Sequence, residues 1–260
     1  MRVVRHRDRR RRARWRRGLW GGGEVLVTAG VVLMLLVVHQ LWWTNREARQ
    51  GAERKVEALE KEWGTRGGDS PAPGAAPSAS ASPRPAATGA SGSARPRPGG
   101  AVTVSGRSRA SQAYAVLTIP RLHLRVPVAE GVSKPYVLNK GYVGHYPGTQ
   151  QPGQAGNFAL AGHRNTHGEP FRYLPRLRPG DTVRVETEAA TYTYAVDKVL
   201  PQTSSRDSGV IRPVPRSLVR PSYGYDEPGY YITLTTCTPE FTSRYRMAVW
   251  GKLVSMRPRE

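Results

Sequence analysis

Hydrophobic and polar positions divide the chain into stretches of different period. Residues Val25 to Val38 are densely apolar, and Leu41, Trp42 and Trp43 extend the run. Counted from Val25 to Trp43 this is 19 residues, roughly 28 Å of helix, close to the hydrocarbon thickness of a bilayer. Trp42 and Trp43 suit the aromatic belt at one interface, beside His39 and Gln40, and Glu24 stands at the other end. The pattern predicts one transmembrane helix within residues 19–43. No other segment is apolar enough to enclose this run as a buried core helix.

The pattern then weakens. Residues 44–64, beginning "TNREARQGAERKVEALEKEW", interleave charges with Val56, Leu59 and Trp63 at helical spacing. Three apolar side chains bury little, so a solvated, marginal helix is expected here. Residues 65–111 form a linker, and from about Asp69 to Gly100 it is nearly all Pro, Ala, Gly, Ser, Thr and Arg. Such a stretch cannot offset the entropy of its own ordering. It reads as a fairly extended tether that holds the C-terminal part of the chain away from the bilayer.

Over residues 112–256 the period shortens to two. The strand candidates are "AYAVLTIP", "LRVPVAE", "NFALAGH", "DTVRVET", "TYTYAVDKVL", "YYITLTTC" and "RYRMAVWGKLV". They are short, rich in Val, Tyr and Thr, and separated by Gly/Pro turns. Only the stretches near 133–140 and 169–177 look helical. The pattern predicts a single mostly-β domain, a closed or nearly closed β-barrel with short helices.

Charge fixes the expected topology. The net charge is +21, and residues 1–18 hold ten arginines against Asp8. A run of this kind suits nucleic acid or an anionic lipid surface. Its place directly before the apolar span makes it a cytoplasmic head that orients the helix and meets lipid, so no nucleic-acid partner is expected. The barrel is then expected outside the cell on a single-pass anchor. A cleaved signal peptide fits less well, because "TNREARQ" lacks a small-residue cleavage site.

Cys237 is the only cysteine in the chain, and it ends an apolar strand. Alternation puts Thr233, Thr235 and Cys237 on one face of that strand, opposite Ile232 and Leu234. In the next strand Met247 and Val249 face the core, which leaves Arg244 and Arg246 on the cysteine's side. A guanidinium beside a thiol favours the thiolate and makes it a nucleophile. Without that pairing, Cys237 would be a small buried hydrophobe. A thiol catalyst needs a proton-transfer partner, commonly histidine. His163 closes "NFALAGH" where a strand opens into a polar loop, and spacing favours it over His145 and His167. His123 reads as a surface residue and His39 belongs to the membrane end.

The motifs "TLTTC", "FALAGHR" and "RYRMAVWGKL", in that relation, resemble the cysteine, histidine and arginine strands of the sortases. These are membrane-anchored cysteine transpeptidases of Gram-positive bacteria. The resemblance covers roughly residues 113–255, and "GHYPGT", "LAGHR" and "TTCTPEF" are most similar to the class E group of actinobacteria. It implies an eight-stranded sortase-type barrel, with Cys237 as nucleophile and His163 as general acid and base. It implies Arg246 as the cation of the site, since Arg246 directly precedes the "MAV" run; Arg244 remains a competitor. Thr236 would border the oxyanion pocket as a substrate-binding residue. The implied reaction cleaves a Leu-Ala-x-Thr-Gly-like sorting motif between Thr and Gly through a thioacyl enzyme. The acyl group then passes to a cell-wall amine, with a lipid-linked peptidoglycan precursor as acceptor and sorted surface proteins as substrates. No acidic cluster resembles a calcium site, so neither metal nor cofactor is expected. Papain-like and NlpC/P60-like enzymes place cysteine before histidine, and L,D-transpeptidases use Ser-x-Gly-Cys; this chain matches neither. A catalytically idle, basic wall-binding module is the alternative outside enzymes.

Overall fold

The computed structural model describes residues 6–66 and 112–259, with side chains over 23–65 and 112–259. The side chains of the basic head and nearly all of the linker lie outside the described residues.

A single helix, α1, runs from His6 to Arg66. Among the described residues it is the one helix long and apolar enough to cross a membrane. Val25–Val38, Leu41, Trp42 and Trp43 are exposed. The helix continues unbroken past Trp43, and its surface changes character. Ala48, Ala52, Val56, Leu59 and Trp63 are all buried, three or four residues apart and therefore on one face. Val56, Leu59 and Trp63 pack with Ala113, Val116, Ala129 and Val137 of the barrel. Arg125 adds an ion pair to Glu60.

The juxtamembrane segment is thus a docked helix and not the solvated one expected. The two alanines account for the difference. They add no bulk to a hydropathy pattern, yet they lengthen the stripe and let the backbones meet. A Cβ on Gly141 would stand 2.7 Å from the Ala48 carbonyl oxygen, so this approach needs small residues on both sides. The tether reading changes with it. Docking begins at Ala48, about 8 Å of helix beyond Trp43. At the other end Trp63 and Ala113 share one cluster, so the segment between them joins two points that already lie together. It does not set the barrel at a distance.

The barrel comprises β1 (Ala113–Ile119), β2 (Leu124–Glu130), β3 (Val143–His145), β4 (Gly156–Ala161), β5 (Thr182–Thr187), β6 (Ala190–Ser204), β7 (Tyr230–Thr238) and β8 (Tyr245–Pro258). It closes in the order β1-β2-β3-β4-β7-β8-β6-β5. Pairings are antiparallel except β2–β3 and β4–β7. Closure leaves no unpaired sheet edge. The inward positions, among them Leu117, Phe158, Leu160, Leu234 and Val249, form the core. The outer face of β7 and β8 is covered as well. Tyr231, Ala248 and Trp250 pack under Val210 and Tyr225 of the β6–β7 connection.

Seven of these strands match the seven sequence candidates. The eighth, β3, spans three residues and includes a glycine, too short for alternation to show. The two stretches expected to be helical carry only 3₁₀ turns, Leu138–Lys140 and Leu174–Arg176.

Candidate active site

The end of β7 is fixed by its two neighbours. On one side β8 pairs with it over eight positions, among them Thr235 opposite Ala248, Thr236 opposite Met247 and Cys237 opposite Arg246. Directly opposed residues in an antiparallel pair share a face. Cys237 and Arg246 therefore share the outer face, while Thr236 and Met247 turn inward with Leu234 and Val249. Arg244 precedes the first residue of β8, is exposed, and lies over the Tyr245 ring at 5.2 Å. Strand register thus pairs Arg246, not Arg244, with the cysteine. The guanidinium of Arg246 donates to the carbonyls of Ser243 at 2.8 Å and Tyr245 at 2.9 Å.

On the other side β4 runs parallel to β7, with Leu160 level with Leu234 and Ala161 with Thr235. The Gly162 amide continues the ladder by donating to the Thr235 carbonyl at 3.1 Å. One more step along each chain brings His163 level with Cys237. Threonine hydroxyls of β7 stitch the two strands together. Thr233 donates to Asn157 at 2.7 Å, Thr235 to the Leu160 carbonyl at 3.0 Å, and Thr236 to the Gly162 carbonyl at 2.8 Å. Thr236 is buried and its hydroxyl is committed to this brace. Gly162 must be small for a local reason: a Cβ there would meet the Phe171 ring at 2.6 Å.

Cys237 is half-buried and its thiol is free. His163 is half-buried too, with Nε2 at 2.9 Å from Asn139 Oδ1. An amide oxygen only accepts, so Nε2 carries the hydrogen and Nδ1 is the bare nitrogen of the neutral ring. Burial, then the charges of His167 and Lys134, push His163 down to about 4. The imidazole is consequently neutral at pH 7. The His167 ring stacks on it at 5.4 Å.

Four residues near this site escaped the sequence reading. Arg164 Nη1 donates to the Cys237 carbonyl at 3.2 Å and to Thr238 Oγ1 at 3.1 Å, tying the histidine loop to the cysteine strand. Its place directly after His163 was a usable signal. Asn139, Glu169 and Arg172 carried none, because each reaches the site only through tertiary contact. His145 and His123 lie apart. His145 is buried on β3, which does not neighbour β7. Its Nδ1 meets Glu130 at 2.8 Å and the Tyr114 hydroxyl at 2.9 Å, and its Nε2 donates to the Gln150 carbonyl. His123 is an exposed turn residue with φ 48°. Among the described residues no group of three or more His, Cys, Asp or Glu could hold a metal ion.

The sortase domain family matches residues 117–254, a stretch that includes His163, Cys237 and Arg246. The chain belongs to the sortase family. It is 43% identical over 242 residues to Sortase SrtE1 of Streptomyces coelicolor, a match that takes in 91% of this chain and 57% of that protein. The chain thus spans little more than half the length of that relative. Sortase SrtE2 of the same organism is 33% identical over 242 residues, covering 89% of this chain and 80% of its own length. Among solved structures, Sortase E1 from Streptomyces coelicolor with a tripeptide in its active site shares 53% identity at a TM-score of 0.54. That match covers 57% of this chain and 92% of the solved one. Sortase E from Streptomyces avermitilis shares 41% identity at a TM-score of 0.50, over 57% and 91% of the two chains. The sortase barrel here therefore carries Cys237 and Arg246 as registered partners on β7 and β8, with His163 at the adjoining end of β4.

Proposed function

We propose that this sortase is a membrane-anchored cysteine transpeptidase, with its basic head in the cytoplasm and its barrel outside. It cuts a Leu-Ala-x-Thr-Gly-like sorting motif between Thr and Gly and transfers the surface protein to an amine of a peptidoglycan precursor. The observation that carries this reading is the register that sets Cys237 opposite Arg246, with His163 two residues beyond the end of the neighbouring strand β4.

In the first half-reaction the neutral His163 ring takes the Cys237 proton at Nδ1, and the sulfur attacks the threonine carbonyl carbon. The C–N bond to glycine breaks, and the imidazolium returns its proton to the leaving amine. A thioacyl enzyme remains. The acceptor amine then attacks the thioester, gives up a proton, and the thiol is restored. Division into two acyl steps is what a covalent nucleophile contributes. Arg246 turns from its loop carbonyls to the substrate and stabilises the negative charge that develops on the carbonyl oxygen. Thr236 borders that pocket through its place beside Cys237, with its hydroxyl holding β4 against β7. The tripeptide in the active site of the Sortase E1 structure supports a peptide substrate for this site.

Incubating the protein with a Leu-Ala-x-Thr-Gly peptide and diglycine should yield a product joined through threonine to the new amine. Absence of cleavage, or cleavage that persists in Cys237→Ala, overturns the proposal.

A further inference from the structure

The loop after His163 is held from outside the barrel. His167, Gly168 and Glu169 all have left-handed backbone, with φ of 52°, 84° and 53°. Glycine adopts this readily, but a histidine and a glutamate do so only where their surroundings enforce it. The enforcing contacts come from α1. Asn45 Nδ2 donates to Glu169 Oε1 at 3.0 Å, and the Gly168 amide donates back to Asn45 Oδ1 at 3.3 Å. Arg49 Nη2 reaches Glu169 Oε2 at 3.0 Å while its Nε donates to the Gly168 carbonyl at 3.1 Å. Between them, Asn45 and Arg49 hold both backbone groups of Gly168 and both carboxylate oxygens of Glu169.

The chain of contacts continues to the cysteine side. The Glu169 side chain is only 5% exposed, and Arg172 pairs with it at 2.7 Å. Arg172 also reaches Glu240 at 3.2 Å, on the loop after Cys237. Between Asn45 and Arg49 on the helix, Ala48 abuts Gly141, two residues from the Asn139 that bonds His163. The same turn of α1 therefore braces both segments that touch the imidazole.

From these contacts we infer that Asn45 and Arg49 are positioning residues of the active site. By gripping Gly168 and Glu169 they fix the loop that places His163 beside Cys237, and they join the geometry of the site to the membrane-spanning helix. The inference rests on His163 as the acid–base group of the proposed reaction. It makes α1 part of the catalytic unit as well as its anchor. It also accounts for a helix that docks on the outside of the barrel at once, where a free tether would serve an anchor equally well.

The test uses the full chain in lipid nanodiscs, with Asn45→Ala/Arg49→Ala, Arg49→Lys and Glu169→Gln. Two readouts are needed: the titration of the His163 ring by NMR, and kcat and KM with a Leu-Ala-x-Thr-Gly peptide. The groups facing the ring are His167 and Lys134, with Glu169, Arg172 and Arg49 one layer behind. A released loop hydrates the imidazole, so in the double variant its titration should rise from about 4 towards the ordinary value of about 6.5. In that variant kcat should fall about ten- to hundredfold, the scale of misplacing a catalytic group by an ångström, with KM nearly unchanged. Arg49→Lys should recover part of both. Glu169→Gln keeps the loop's shape and should give an intermediate shift, even if the double variant folds poorly. An unchanged titration overturns the inference, whether or not kcat falls. Should His163→Ala keep its activity, the acid–base role fails, and the titration shift alone still decides whether the helix holds the ring.

Discussion

Cys237 and Arg246 stand on two strands joined by eight registered pairs, whereas His163 stands two residues past the end of β4 and opens into a loop of left-handed residues. The first pair is located by the barrel's own hydrogen-bond ladder and by apolar partners such as Leu234 and Val249 beneath it. The histidine inherits its register from β4, but its loop is held by Glu169, Arg172 and the long apolar helix α1. A thiol and a cation can thus be brought together by strand register alone. The imidazole needs support that crosses from one structural layer to another.

That contrast orders the effects of substitution. Cys237→Ala should abolish cleavage and transfer outright while leaving the melting temperature nearly unchanged, since the chain holds no other thiol. His163→Ala should be comparably severe in a peptide-cleavage assay, because the leaving amine then lacks its proton donor. Arg246→Ala should cost about 2–4 kcal/mol of transition-state stabilisation, seen as a loss of kcat/KM with the fold intact. Arg244→Ala should cost far less, because that side chain lies over Tyr245 before the strand begins. A dead Arg244→Ala beside a nearly normal Arg246→Ala would break the register on which the rigid half of the comparison stands.

Stability should respond on the supported side. Leu59→Ala removes a buried contact between α1 and the barrel, and should cost about 2–4 kcal/mol in denaturant unfolding. A loss near zero would mean that the helix is not docked. A further effect is expected with pH. Burial first, then His167 and Lys134, lower His163 to about 4, so between there and its unfolded value near 6.5 the unfolded chain binds more protons. The domain should therefore be fully stabilised by this group above about pH 6.5 and lose that contribution as pH falls towards 4. Substituting His163 by Asn should flatten the slope in that window, and an unaltered slope would contradict the burial of the ring.

Much of the rigid half was legible in the sequence. Alternation in "YYITLTTC" and "RYRMAVWGKLV" placed Cys237 and the arginines on one face, because strand period translates directly into sidedness. The supported half was not legible. Ala48 and Ala52 complete the docking stripe without raising its hydropathy, so the helix read as solvated. Asn139, Glu169 and Arg172 act across 24, 6 and 9 residues from His163 along the chain, through contacts that local patterns do not encode. The strand Val143–His145 was hidden by its length, and His145 with it. Buried beside Glu130 and Tyr114, it braces the barrel with β4 between it and β7.

The central claim is that Cys237 carries the acyl group between donor and acceptor. Mass spectrometry of the protein quenched during turnover of a Leu-Ala-x-Thr-Gly peptide, with no acceptor amine added, tests this most directly. One adduct of the Leu-Ala-x-Thr fragment is expected, mapped to Cys237 and released by hydroxylamine or diglycine. Turnover with an unmodified Cys237, or an adduct mapped to any other residue, would contradict the claim.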